Sequence, residues 1–236
     1  STLTLAGANT LAGLTFNNIG GSGGGGTSNP NISTTGGVLT LTGNINASSS
    51  NIAGVSVITA GTIDLGAAAR TITANSVTAD GSPGGTVISP YTSTLSITAV
   101  LQNAAGSIVK AGNGVLQLNG NNTFGTAGVQ GVELQAGGLY LTTSSNALGV
   151  GILNVSGNNT SISSDARTFA NPIIWGGSAT NATIGNYGGA AMVLSGLQSW
   201  GTGVNRTITT NAVSGSTFST QTLSGAIIGS GTLTKD

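Results

Sequence analysis

The chain contains no cysteine and no histidine, and only five basic and five acidic residues among its 236. The absence of cysteine excludes disulfide staples and thiolate metal sites. The absence of histidine removes the usual base for a serine nucleophile. Gly20-Gly21-Ser22-Gly23-Gly24 fits the nucleophile-elbow pattern but lacks that partner. Charged residues make up 4% of the chain, against about 25% in ordinary globular domains. With zero net charge there is no basic footprint for nucleic acid and no polybasic patch for a membrane surface. No apolar run approaches the roughly 18 residues that would span a bilayer. The calcium-binding nonapeptide is also missing, so no metal or cofactor is expected.

Glycine and short alternating stretches fill the space that charge leaves. Leu39-Thr40-Leu41-Thr42, Ile63-Asp64-Leu65, Leu116-Gln117-Leu118, Val132-Glu133-Leu134 and Leu139-Tyr140-Leu141 each place apolar side chains on one face. A period of two marks half-buried strands. Between them sit clusters such as Gly43-Asn44, Gly120-Asn121-Asn122 and Gly157-Asn158-Asn159, which suit tight turns. No segment holds a helical period, so the chain reads as all-β.

Internal repetition narrows the class further. Lys110-x-Gly112-x-Gly114-Val115-Leu116-x-Leu118-x-Gly120-x-Asn122-Thr123 is entered partway at the N-terminus, as Leu3-x-Leu5-x-Gly7-x-Asn9-Thr10. It breaks off at the C-terminus, where Gly229 to Lys235 matches Gly106 to Lys110. Arg70-Thr71-Ile72-Thr73 returns as Arg206-Thr207-Ile208-Thr209, and loosely at Arg167. The spacings between copies are unequal, which stacked coils tolerate because insertions become surface loops. Gly20 to Gly26 and Asp80 to Gly85 are the expected excursions. Each arginine is expected to be a solvated strand-end residue that bonds turn carbonyls.

The phrase from Lys110 through Asn122-Thr123-Phe124, then Val132-x-Leu134, Gly137-Gly138-Leu139-x-Leu141 and Ala147-Leu148-Gly149, resembles the autotransporter-associated β-strand repeat. That family is also called the passenger-associated transport repeat. The resemblance implies a right-handed parallel β-helix exposed on a Gram-negative-type cell. It covers about 106–149 and 222–236, and part of 1–14. Departures lie at Gly125 to Gly131 and in the lack of a following membrane barrel.

The expected fold is therefore one right-handed parallel β-helix, or β-solenoid, over 1–236, with about ten coils of roughly 20 to 25 residues. A start at Ser1 without methionine reads as a processed or excised piece. The leading function is structural and non-enzymatic: an extracellular fibre or stalk built by end-to-end stacking. Leu3, Leu5, Leu233 and Lys235 mark the ends, and the partner is another copy or flanking repeats. The alternatives are an adhesin that stacks glycans on Trp175, Tyr187 and Trp200, and a polysaccharide-active enzyme using Asp64, Asp80 and Arg70. Joining Asp236 to Ser1 through two residues would rebuild the central phrase.

Overall fold

The computed structural model describes residues 2–19, 29–186, 191–212 and 219–236. The chain passes three faces in turn. Coil one is β1 (Thr2–Thr4), β2 (Asn9–Leu11) and β3 (Leu14–Asn18); coil two is β4 (Asn31–Ser33), β5 (Val38–Leu41) and β6 (Ile45–Ser49). Coil three is β7 (Ser56–Thr59), β8 (Thr62–Asp64) and β9 (Ala69–Thr78), the last continuing into an antiparallel hairpin with β10 (Val87–Ser89). Coil four is β11 (Ser93–Ile97), β12 (Val100–Gln102) and β13 (Ser107–Ala111).

Coils five and six have two strands each: β14 (Val115–Leu118) with β15 (Gln130–Leu134), then β16 (Gly138–Leu141) with β17 (Ile152–Val155). The third strand returns in coil seven, β18 (Thr160–Ser164), β19 (Thr168–Phe169) and β20 (Ile173–Trp175). Coil eight is β21 (Asn181–Asn186), β22 (Val193–Leu194) and β23 (Gln198–Thr202). Coil nine is β24 (Arg206–Ala212), β25 (Thr222–Leu223) and β26 (Ile227–Ser230), and β27 (Leu233–Lys235) opens a tenth.

The first strands of successive coils form one ten-stranded ladder from β1 to β27. A second ladder runs from β3 to β26, with β10 attached to β9 at its side. The third face is split into a four-stranded sheet from β2 to β12 and a three-stranded sheet from β19 to β25. Among the described residues every pairing except β9 with β10 is parallel, and there is no helix. The fold is the parallel β-helix that the alternating strands and repeats imply. At about 4.8 Å per strand the ten-stranded ladder is about 43 Å long.

Coil length follows the expected range only in the middle. Leu118 pairs with Leu141 and Leu141 with Ser164, steps of 23 residues. From Ile58 to Ile97 the step is 39, because the β9–β10 hairpin leaves the path; on its return β11 pairs regularly with β7, and with β14 through one register shift at Ser93/Leu95. Asp80 to Gly85 lies in that hairpin turn, an excursion as its composition suggests. Gly20 to Gly26 lies outside the described residues.

Strand parity places the core. Leu39, Leu41, Ile63, Leu65, Leu116, Leu118, Leu139, Leu141, Leu153 and Val155 are all fully buried. Residues stack in columns along the rod, as in Leu95, Leu116, Leu139, Ile162 and Ile184. Coils approach so closely at the turns that a Cβ at Gly43 would fall 1.7 Å from the Ala12 carbonyl oxygen, which only glycine permits. Buried asparagines replace strand pairing where the third face is interrupted. Asn122 accepts from the Leu101 N–H at 2.8 Å and donates to the Ala147 carbonyl at 2.7 Å. Asn171 donates to the carbonyls of Gly149 and Gly151. These amides satisfy backbone groups that no neighbouring strand reaches.

Leu39→Ala is expected to destabilise the protein by about 2–5 kcal/mol, while the adjacent Thr40→Ala stays within about 0.5 kcal/mol. Urea denaturation of the two variants checks the inward and outward parity of β5.

Candidate functional site

The acidic residues are held by local structure. The Asp64 carboxylate accepts from Asn103 Nδ2 at 2.8 Å and from the Gly66 N–H at 2.7 Å, which together hold its pKa below the usual range. Asp80 accepts from the backbone and hydroxyl of Ser82 in the hairpin turn, with the same direction of shift. A general acid for glycoside hydrolysis needs its pKa raised. Arg70 is engaged elsewhere, donating Nε to the Leu65 carbonyl and Nη1 to that of Thr42. Among the described residues the ion pair is Arg167 with Asp165, at 3.0 Å. The structure therefore does not gather Asp64, Asp80 and Arg70 into one site.

The aromatic platform also needs correction. Trp175 and Trp200 are 1% and 5% exposed and stack on each other inside the coil, with centroids 5.3 Å apart. Their positions have the same parity as Ile173 and Gln198, which points both indoles inward. Neither ring face is free for a sugar. Trp175 donates its indole N–H to Gln198 Oε1, whereas Trp200 Nε1 has no partner among the described residues. Tyr187 lies outside the described residues.

Two cations occupy positions that apolar residues fill elsewhere. Lys110 stands in the inward column of the second ladder, between Ile72 and Leu134, and is completely buried. Its Nζ donates to the carbonyls of Ala111, Gly112 and Ala136 at 2.9, 2.7 and 3.0 Å. Those carbonyls belong to the bend from the second ladder to the first, in two successive coils. Arg206 closes the same bend nearer the other end. Its guanidinium donates to the carbonyls of Trp175, Gly176, Ala179 and Trp200, and it is 2% exposed. Arg70 bonds turn carbonyls as expected; Arg206 also bonds turn carbonyls but is buried and not solvated, and Arg167 instead takes a carboxylate. The burial of Lys110 was missed, although its parity with Ile108 signals an inward position.

The two ends of the first ladder carry β1 and β27, each paired on one side only. Leu3 and Leu233 are 59% and 49% exposed, Lys235 is exposed, and Leu5 is half-buried against the core. The match between Lys110 and Lys235 does not survive in three dimensions. Lys110 is an inward residue of the second ladder, whereas Lys235 pairs with Ile208 on the first. Residues 227–230 already hold the edge of the second ladder. A two-residue link from Asp236 to Ser1 would therefore join two strands of the same face and omit the rest of a coil.

Comparison with known protein families, with curated proteins and with solved structures finds no match.

Burial pushes the Lys110 pKa down to about 7, from an unfolded value of about 10.4. Between these values the unfolded chain holds a proton that the folded chain has released. Stability therefore rises with pH across this window, and the full cost of burying the charge is felt below it. The thermal midpoint is expected to climb from pH 7 to pH 10, and Lys110→Met should lack this component. Arg206→Met strands the four carbonyls that the guanidinium bonds, with an expected loss of about 3 kcal/mol or more in chemical denaturation. Arg206→Lys recovers only part of it, since an ammonium cannot span the same fork of acceptors.

Proposed function

We propose that this chain is a non-enzymatic structural β-solenoid of a bacterial cell surface, forming a fibre or stalk by end-to-end stacking of coils. The observation that carries the reading is the state of the ladder ends. Ile227 on β26 is half exposed, although it continues the inward column of Ile173 and Gln198, both fully buried. Parallel strands with one free edge and an apolar face are templates for a further coil. A head-to-tail contact of this kind is heterologous and does not close, so it yields filaments. The near-absence of charge leaves little repulsion between copies. The resemblance of 106–149 to the passenger-associated transport repeat supports the extracellular setting.

The ladders define how a second copy would dock. The first ladder carries β27 one level above β26, so it ends one strand ahead of the second. For β1, β2 and β3 of a second copy to seat together on the first ladder, the third face and the second ladder, β27 has to leave its place. Three exposed residues at a free edge make that inexpensive.

Electron microscopy and sedimentation over a concentration series test the proposal. The chain is expected to give unbranched filaments, and Ile227→Lys should prevent them. Removal of residues 231–236 leaves β26 and β24 flush and is expected to lower the concentration needed for assembly. A monodisperse monomer in all three forms at high concentration overturns the stacking proposal.

A further inference from the structure

The side of the rod carries an open groove of about 260 Å³, at the bend from the second ladder to the first and away from both ends. Its floor is bare backbone. Gly137 has a φ of +68°, and a Cβ there would fall 2.3 Å from the Gly114 carbonyl oxygen. One at Gly138 would fall 2.4 Å from Ser161 Oγ. In the row Val115, Gly138, Ser161, Thr183 the glycine alone carries no side chain, and Ser161 Oγ and the Val115 methyl lean over it. The row spans three strand spacings, about 14 Å. Beneath it, Lys110 holds the Ala111, Gly112 and Ala136 carbonyls and fixes the bend that shapes the floor.

Tyr91 lines one end of the groove and is 54% exposed. Among the described residues its ring has no aromatic or cationic partner and its hydroxyl no hydrogen bond. The other walls are Asn113, Asn159, Ser161 and Thr183. Asn159 keeps its amide side chain at a φ of +54°, a conformation more readily taken by glycine. Both asparagine amides are exposed, and neither they nor the two hydroxyls make a side-chain hydrogen bond among the described residues. No charged side chain lines the groove.

We infer that this groove binds a neutral, unsubstituted oligosaccharide of roughly three to four sugar units, stacked on Tyr91 and held by the amides and hydroxyls of Asn113, Asn159, Ser161 and Thr183. An aromatic ring beside unpaired amides and hydroxyls matches a sugar, which carries a C–H face and a rim of hydroxyls. The lack of a lining cation disfavours phosphate, sulfate and carboxylate ligands, which call for arginine or lysine. The site lies on the flank, so it operates with or without end-to-end stacking.

The test is isothermal titration of the full chain with unsubstituted glucan and xylan tetrasaccharides and with their sulfated counterparts. At least one neutral tetrasaccharide is expected to bind. Tyr91→Ala should weaken it about tenfold and Asn113→Ala about threefold, with unchanged thermal midpoints. Both residues are exposed, so loss of binding by either variant is separable from unfolding. The inference is overturned if no neutral sugar binds, if only sulfated sugars bind, or if Tyr91→Ala binds as tightly as the parent chain.

Discussion

The bend between the second and first ladders is the constraint on which the rest of this fold depends. Along the strands, every coil hydrogen-bonds to the coils above and below it. At the bend the backbone turns, and its carbonyls lose that partner while remaining inside the rod. An unpaired buried carbonyl costs about 1–3 kcal/mol, and a solenoid repeats the problem at each coil. Lys110 and Arg206 answer it at two levels, each collecting carbonyls from successive coils. Neither has a carboxylate partner among the described residues. Both are met by backbone carbonyls, so two of the chain's five basic residues lie in its interior.

That use of charge shapes the surface. With Lys110 and Arg206 buried and Arg70 laid over carbonyls, the exterior is mostly threonine, serine, asparagine and glycine. A neutral polar exterior neither steers charged partners nor repels copies of itself. The same economy governs the aromatics. Trp175 and Trp200 stack in an inward column, beside Gln198, which takes the Trp175 N–H. Tyr91 belongs to no strand and remains on the surface.

Much of the architecture was legible because strand parity has a period of two and inward residues are nearly all apolar. Leu39, Leu41, Leu116 and Leu139 could be placed from alternation alone. The third face was not legible, because strands of two or three residues, such as β19 and β25, are too short to show alternation. Its interruption depends on Asn122 and Asn171, which in sequence look like any other turn asparagine. Lys110 and Trp200 share parity with buried neighbours, but expectations attached to charge and to aromatic faces obscured that signal. The likeness of Lys235 to Lys110 misled for a different reason: similar short phrases occupy different faces when the chain has advanced by part of a coil.

The flank groove shows why function on a solenoid is hard to read from a linear pattern. Tyr91, Asn113, Gly137, Asn159 and Thr183 are spaced by about one coil each, so no short motif contains two of them. Coil length sets which residues become neighbours, and coil length here varies with every insertion. The β9–β10 hairpin adds residues between β9 and β11 just before Tyr91, and the ladder absorbs it with one register shift between Ser93 and Leu95. An insertion can thus deliver an aromatic ring to a chosen bend without altering the core beneath it. In such a rod the inward columns determine stability. The bends are where recognition can change most freely, because their side chains answer to solvent on one side and to a fixed backbone on the other.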